Sequence, residues 1–455
     1  VTKVSLRRIF HTWWPLAASW LFMGTELPMI SAVMARLANP KIHLAAYGGV
    51  VFPIALIIEA PIIMLLAAST ALSKDWVSYR KGYRFMMWAG GTLTAIHFAI
   101  AYTPLFYPVV QNLMGVPDEI VEPARLGMMI MIPWTWTIAY RRYHQGVLIR
   151  FGHSRAVGLG TAIRLASNAG MMAVVIGAGR LIGVDVPGIV VGTSGIAAGV
   201  ISEAIYAGIA VRPVLRREMP QTPTVSPPLT WPAFFDFYWP LAVTALLNLI
   251  VQPMGSAAVS RMPLALDSLA VWPVVGGLTF MLRSMGFAYN EVVVALLDEP
   301  GALRNLRQFT GLLFAGVTAA IVVVAATRLS FLWFHTVSGL DAGLTALARN
   351  GLWAAALWPG LSVLQNWFQG VIVNQRKTRV ITESVIVFMG VTGAVLVWGA
   401  ATAAFVGLYV GLAAFVIGQA AQVGWLWWRS RPLFAALQAR DTALLTAPSP
   451  SCAAD

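Results

Sequence analysis

Six ionisable side chains, Glu26, Glu59, Arg164, Glu203, Arg283 and Glu291, stand inside stretches that are otherwise apolar. A charge at the centre of a bilayer costs roughly 2.5–3.5 kcal/mol on insertion scales, so each must face a partner or a wet cavity. The chemistry open to such groups is binding of ions or polar solutes and exchange of protons. Glu59 and Arg283 each lie 15 residues from a charged span end, at Lys74 and Asp298. At about 1.5 Å per residue both reach mid-membrane. They could gate a cleft or hold a zwitterion or an anion, or each could be satisfied within its own bundle. Arg164 and Glu203 fall at similar depth on adjacent spans, as a structural ion pair or as part of a coupling path. Glu26 stands two residues before Pro28. Proline removes a backbone donor and permits a bend, and burial there would favour a protonatable carboxylate. The alternative is a hydrated Glu near the outer vestibule.

Neutral polar residues add to this set. Asn248, Gln252, Gln365, Asn366 and Gln369 would give the second half of the chain a polar cavity lining, and Asn290 with Glu291 could line an inner mouth. Arg141 and Arg142 match Gln365 and Asn366 in position. They read as anchors on the cytoplasmic side or as an anion-attracting inner vestibule.

These residues must be positioned by membrane helices. Of the 455 residues 58% are hydrophobic and only 11% charged, under half of the roughly 25% usual in soluble chains. Apolar runs long enough to cross a hydrocarbon core of roughly 30 Å recur along the chain. About twelve spans are expected, over 10–34, 43–72, 85–108, 123–140, 156–179 and 186–211, then 231–258, 267–297, 308–332, 342–373, 380–400 and 402–428. The Pro- and Thr-rich segment 213–230 divides the chain into a bundle over 1–212 and a bundle over 231–430, with a frayed polar tail over 431–455. Most Lys and Arg fall in alternate connections, from Lys3, Arg7 and Arg8 through Arg376, Lys377 and Arg379 to Arg429, Arg431 and Arg440. That bias places both termini in the cytoplasm and requires an even number of spans.

The halves repeat. Trp14-Pro15-Leu16-Ala17 recurs as Trp239-Pro240-Leu241-Ala242 at an offset of 225, shared by Pro28-Met29 with Pro253-Met254 and by Arg36 with Arg261. Gln145-Gly146-Val147 recurs as Gln369-Gly370-Val371 at an offset of 224, which also relates Glu59 to Arg283. Halves with even span numbers run in the same direction. A pseudo-twofold axis along the membrane normal should relate them, with any substrate site at their interface near the midplane. In such a frame Glu59 and Arg283 would face each other across the cleft.

Other classes are disfavoured. A formal charge of +13 could indicate nucleic acid, but the cations sit in short clusters between apolar runs, not on a soluble platform. The lone Cys452 excludes an intrachain disulfide or a CxxC site, and no phosphate-binding loop, GxSxG or metal-ligand spacing occurs. The first apolar run is too long for a cleavable signal peptide. No enzyme, no metal and no cofactor beyond a coupling H+ or Na+ is expected.

The WPLA-type starts of spans 1 and 7, with Leu44-Ala45-Ala46-Tyr47-Gly48, the stretch from Ala101 to Leu113, Val116-Pro117-Asp118-Glu119, Gly146-Val147-Leu148 and Phe237-Tyr238, carry a resemblance. The chain resembles the multidrug/oligosaccharidyl-lipid/polysaccharide exporter (MOP) superfamily, which holds the multidrug and toxic compound extrusion (MATE) transporters and the lipid-linked sugar flippases. Within it the chain looks most like the progressive ankylosis protein family. The resemblance implies an all-α, V-shaped, alternating-access exporter of two six-helix bundles, monomeric, in a bacterial inner membrane with lipid and a small-molecule substrate as its partners. The ankylosis branch implies organic anions, which Arg164, Arg283 and a basic inner mouth would suit. The MATE branch implies cationic drugs exchanged for protons or sodium, which Glu26, Glu59 and Glu291 could serve. A lipid-linked precursor flippase and a non-transporting membrane scaffold are the competing readings.

Overall fold

The computed structural model describes residues 4–299, 301–375, 377 and 379–446. The expected cations Lys3 and Arg376, and Cys452, lie outside them. Among the described residues there is no strand. Ten helical segments are long and apolar enough to cross a membrane: Leu6–Met34, Pro40–Leu72, Trp76–Tyr102, Ser154–Leu181, Gly188–Gln221, Trp231–Val259, Ala265–Leu296, Ala302–Ala326, Arg379–Thr402 and Gly407–Thr442. They are spans 1–3, 5–9, 11 and 12. Spans 4 and 10 are broken helices, Val121–Ile130 with Ile132–Arg150, and Ala342–Ala354 with Trp358–Asn374. Span 4 is also burdened by Arg141, Arg142 and Arg150.

The breaks have a common cause. Proline lacks an amide proton, and its ring collides with the carbonyl four residues earlier. Span 1 breaks at Thr25, ahead of Pro28, and span 7 at Ile250, ahead of Pro253. Span 4 breaks at Met131, ahead of Pro133, and span 10 over Ala355–Leu357, ahead of Pro359. Spans 2 and 8 are each entered through a left-handed residue, Asn39 (φ 50°) and Leu264 (φ 55°). Each of these features recurs in the second half at the repeat offset.

The repeat is not two sealed bundles. Below its break, span 1 leaves its own half and packs on spans 8 and 9. Trp13 Nε1 donates to the Met285 carbonyl at 3.0 Å and its ring meets Phe309, while Asn305 Nδ2 donates to the Val4 carbonyl at 2.6 Å. The inner part of span 7 crosses the other way onto spans 2 and 3. Tyr238 donates to the Pro61 carbonyl, Lys81 to the Leu229 carbonyl, and Phe234 lies 4.9 Å from Phe85.

On the outside, spans 2 and 8 pack closely. A Cβ on Gly48 would stand 2.5 Å from Pro273, and one on Gly277 3.0 Å from Pro28. From Phe52 inward span 2 packs on spans 3, 4 and 7, and span 8 continues inward on spans 1, 9 and 10. The halves are thus joined outside and diverge toward the cytoplasm.

The tail corrects an expectation. Span 12 runs on unbroken as Gly407–Thr446. Leu433 and Leu437 are buried against Leu296, Leu297 and Trp367, and Arg440 Nη2 donates to the Leu297 carbonyl at 2.9 Å. The polar composition after Arg429 hid an apolar stripe one and two turns on.

The connection between the halves is tied at one end. Asp75 caps span 3 by accepting from Ser78 N–H at 2.8 Å, and its second oxygen accepts from Val225 N–H at 2.9 Å. Burial pushes this carboxyl up, but the hydrogen bonds from Ser78 and Val225 outweigh it and hold it below the usual carboxylate range. The tie is therefore complete at neutral pH and is lost as pH falls through that lowered value. Asp75→Asn is expected to speed proteolytic cleavage within 213–230 at pH 7 several-fold. An unchanged cleavage rate would show that Asp75 does not hold the connection.

Candidate functional site

Spans 5 and 6 approach closely because glycines face the bulk of the neighbouring helix, as small residues allow in lipid. A Cβ on Gly199 would fall 1.6 Å from Asn168 Oδ1, and one on Gly195 2.7 Å from Met172. That approach assembles a buried chain of charges in the first half. Glu26 accepts from Asn168 Nδ2 at 2.7 Å and pairs with Arg164 at 3.1 Å. Arg164 reaches Glu203 at 3.6 Å, and Glu203 pairs with Arg141 at 2.7 Å and accepts from Gln145 Nε2 at 2.9 Å. Glu203 is fully buried. Removing one member of such a pair typically costs about 3–5 kcal/mol, because the other charge is left in a medium that cannot solvate it.

Glu59 is a separate case. It is buried, its Oε2 has no hydrogen-bond partner, and it lies in the field of Arg142, Arg141 and Arg164. Among the described residues no ion pair joins it to Arg283. Glu59 is served by cations of its own half. Three acids and three arginines thus share the first half's interior.

The second half answers with amides. Trp358 Nε1 donates to Gln419 Oε1 at 2.9 Å, and Gln419 Nε2 donates to Gln365. Spans 10 and 12 are joined there by amides where spans 4 and 6 are joined by Arg141 and Glu203. Arg283 lies over the Trp358 ring at 4.4 Å and near Phe287 at 5.7 Å. It is half-buried, its Nε has no partner, and among the described residues no carboxylate pairs with it.

The remaining expected residues scatter. Asn290 donates to the Asn366 carbonyl at 3.2 Å, and Asn366 to the Ser362 carbonyl at 2.8 Å. Gln252 and Gln369 are half-buried, Glu291 is exposed, and exposed Asn248 only bonds its own helix at Thr244. Arg141 is no open vestibule group, since Glu203 and burial claim it. Arg142 is half-buried beside it, and its Nε has no partner. Asn168, Gln145 and Gln419 were missed, although Asn168 sits one turn from Arg164 on the same helix face and could have been found by that spacing.

Glu203→Gln is expected to lower the melting temperature in detergent by several degrees, because Arg141 and Arg164 lose their shared acid. Arg283→Gln should leave it nearly unchanged. Equal effects of both would refute the division into a satisfied half and an unsatisfied cation.

No family model and no curated protein sequence matches the chain. Solved structures do. An inward-facing MATE family multidrug resistance transporter of the MOP superfamily superposes with a TM-score of 0.67 at 15% identity, covering 93% of this chain and 99% of that one. An outward-facing transporter of the same family gives 0.59 at 17% identity, covering 96% and 98%. The lipid II flippase MurJ in an inward closed conformation gives 0.66 at 13% identity, covering 95% and 93%. The chain has the fold of the MATE transporters of the MOP superfamily, with about twelve membrane helices.

Proposed function

We propose that this protein is a secondary-active, alternating-access exporter of small organic anions in a bacterial cytoplasmic membrane, driven by a proton or sodium gradient. It is a carrier and not an enzyme. The observation that carries this reading is Arg283. The interior of the first half is balanced between Glu26, Glu59 and Glu203 and Arg141, Arg142 and Arg164, whereas among the described residues no acid pairs with Arg283. The guanidinium sits over the Trp358 ring and its Nε has no partner, which leaves a donor to bond an oxyanion. A substrate carboxylate or phosphate would supply the missing charge, while amides nearby supply neutral donors. For coupling, Glu26 and Glu203 are engaged by arginines. Glu59, the buried carboxylate without a hydrogen bond, is the better seat for a transported proton.

A second reading, export of a lipid-linked precursor, is supported by the fold likeness to the lipid II flippase. The diphosphate of such a lipid would also seek Arg283.

In proteoliposomes, uptake of a panel of labelled organic anions and cations under separately imposed pH and sodium gradients tests both. Arg283→Ala is expected to lower anion flux at least tenfold with unchanged melting temperature, and Arg283→Lys to retain part of it. Preference for cations, or full flux in Arg283→Ala, would overturn the anion reading. Movement of a fluorescent lipid-linked diphosphate, with no soluble anion carried, would favour the flippase.

A further inference from the structure

The outer seam carries a second set of repeat-equivalent bonds, which stands apart from the substrate reading. Arg36 follows span 1. One of its nitrogens donates to the carbonyl of Ala32 in its own helix at 2.6 Å, and the other to the carbonyls of Thr336 and Val337 in the opposite half at 2.6 and 2.9 Å. Arg261 follows span 7. It donates to its own Ala257 at 2.6 Å and, in the opposite half, to Met114 at 2.9 Å, Leu113 at 2.8 Å and Asn112 at 3.3 Å. Ala32 matches Ala257 at the 225 offset, and Thr336 and Val337 match Asn112 and Leu113 at the 224 offset, while Met114 is an acceptor that Arg261 alone takes.

The acceptors are of one kind. Thr336 and Val337 end the turn Leu332–Val337, and Asn112 and Leu113 end the turn Pro108–Leu113. Carbonyls at a helical C-terminus have no donor within the helix and carry partial negative charge, so a guanidinium caps them well. Each turn is followed by a left-handed glycine, Gly339 (φ 75°) and Gly115 (φ 65°). A Cβ on Gly339 would stand 2.9 Å from the Arg36 guanidinium, and one on Gly115 3.0 Å from that of Arg261. Glycine is thus needed twice over, for the backbone and to let the guanidinium lie against the turn. Lys41 pairs with Asp267 at 2.5 Å across the same seam.

We propose that Arg36 and Arg261 are a reciprocal outer latch: each caps the helical turn of the opposite half, and releasing both is what admits the outward-open state. The bond of each arginine to its own helix survives opening, so the side chain stays poised to re-engage. The bonds across the seam are the ones lost.

The test uses the full chain in nanodiscs with Cys452→Ser and spin labels on Ala38→Cys and Pro263→Cys, exposed positions at the outer ends of spans 1 and 7. Electron–electron double resonance should show mainly the short distance. In Arg36→Ala/Arg261→Ala the ratio of long to short distances should rise at least tenfold, with each single variant giving a smaller and similar rise. Arg36→Lys/Arg261→Lys, which keeps the charge at exposed sites and loses the fork, should also shift toward the long distance. It guards against misfolding of the alanine variant. Distributions unchanged in the lysine pair and in any folded alanine variant, or an effect confined to one arginine, would overturn the latch.

Discussion

A helix that breaks inside lipid has no water to bond its freed backbone, so the break survives only where protein takes over. Spans 1 and 7 are interrupted ahead of Pro28 and Pro253, and this constraint governs the rest of the molecule. Each inner segment swings onto the other half and docks by one aromatic donor on a backbone carbonyl: Trp13 on Met285, Tyr238 on Pro61. These two bonds are one bond repeated. Trp13 and Tyr238 are equivalent positions, as are Pro61 and Met285, and Asn305 with Val4 repeats Lys81 with Leu229. The chain therefore packs as two bodies, spans 2–6 with the inner part of span 7, and spans 8–12 with the inner part of span 1.

The duplicated frame holds unlike chemistry. Spans 4 and 6 meet through Arg141 and Glu203, while spans 10 and 12 meet through Gln365 and Gln419. An ion pair in a low-dielectric interior gains Coulomb energy but gives up hydration of two charges, so amides can fill the same joint with no net charge to satisfy. One half has become an internally neutral ionic core. The other carries an amide joint and one extra cation stacked on Trp358.

Much of this was legible. The composition called for lipid, the constant offset for a parallel repeat, and Pro28 and Pro253 for bends where breaks are found. Arg164 and Glu203 were recognisable as neighbours by depth. Glu59 and Arg283 are matched by the offset, but a twofold sets equivalent side chains on opposite walls, and each takes its surroundings from its own half. Gln419 gave no signal, since an uncharged residue in an apolar helix costs too little to demand a partner. Nor was the exchange of spans 1 and 7 visible: equivalent halves offer equivalent docking faces, and an offset is the same whichever one a helix chooses. Arg36 and Arg261 appeared as a matched pair, but their acceptors are backbone carbonyls, which have no side-chain signature.

The placement of strong and weak interactions follows from what each must do. Removing one partner of a buried pair such as Arg141 with Glu203 costs about 3–5 kcal/mol, because the other charge stays buried. A hydrogen bond at a wet surface is exchanged for one to water and is worth about 0.5–1.5 kcal/mol net. Arg36 and Arg261 are exposed, and every acceptor they take from the opposite half is a carbonyl that water can serve when the seam opens. Several such bonds hold the outside shut together, yet none strands a charge in oil on release. In the ionic core of the first half, Glu59, Arg141, Arg142, Arg164 and Glu203 stand on spans 2–6, and Glu26 joins them from the break of span 1. The deep charges thus lie among packed helices, and the bonds across the outer seam lie where solvent can replace them.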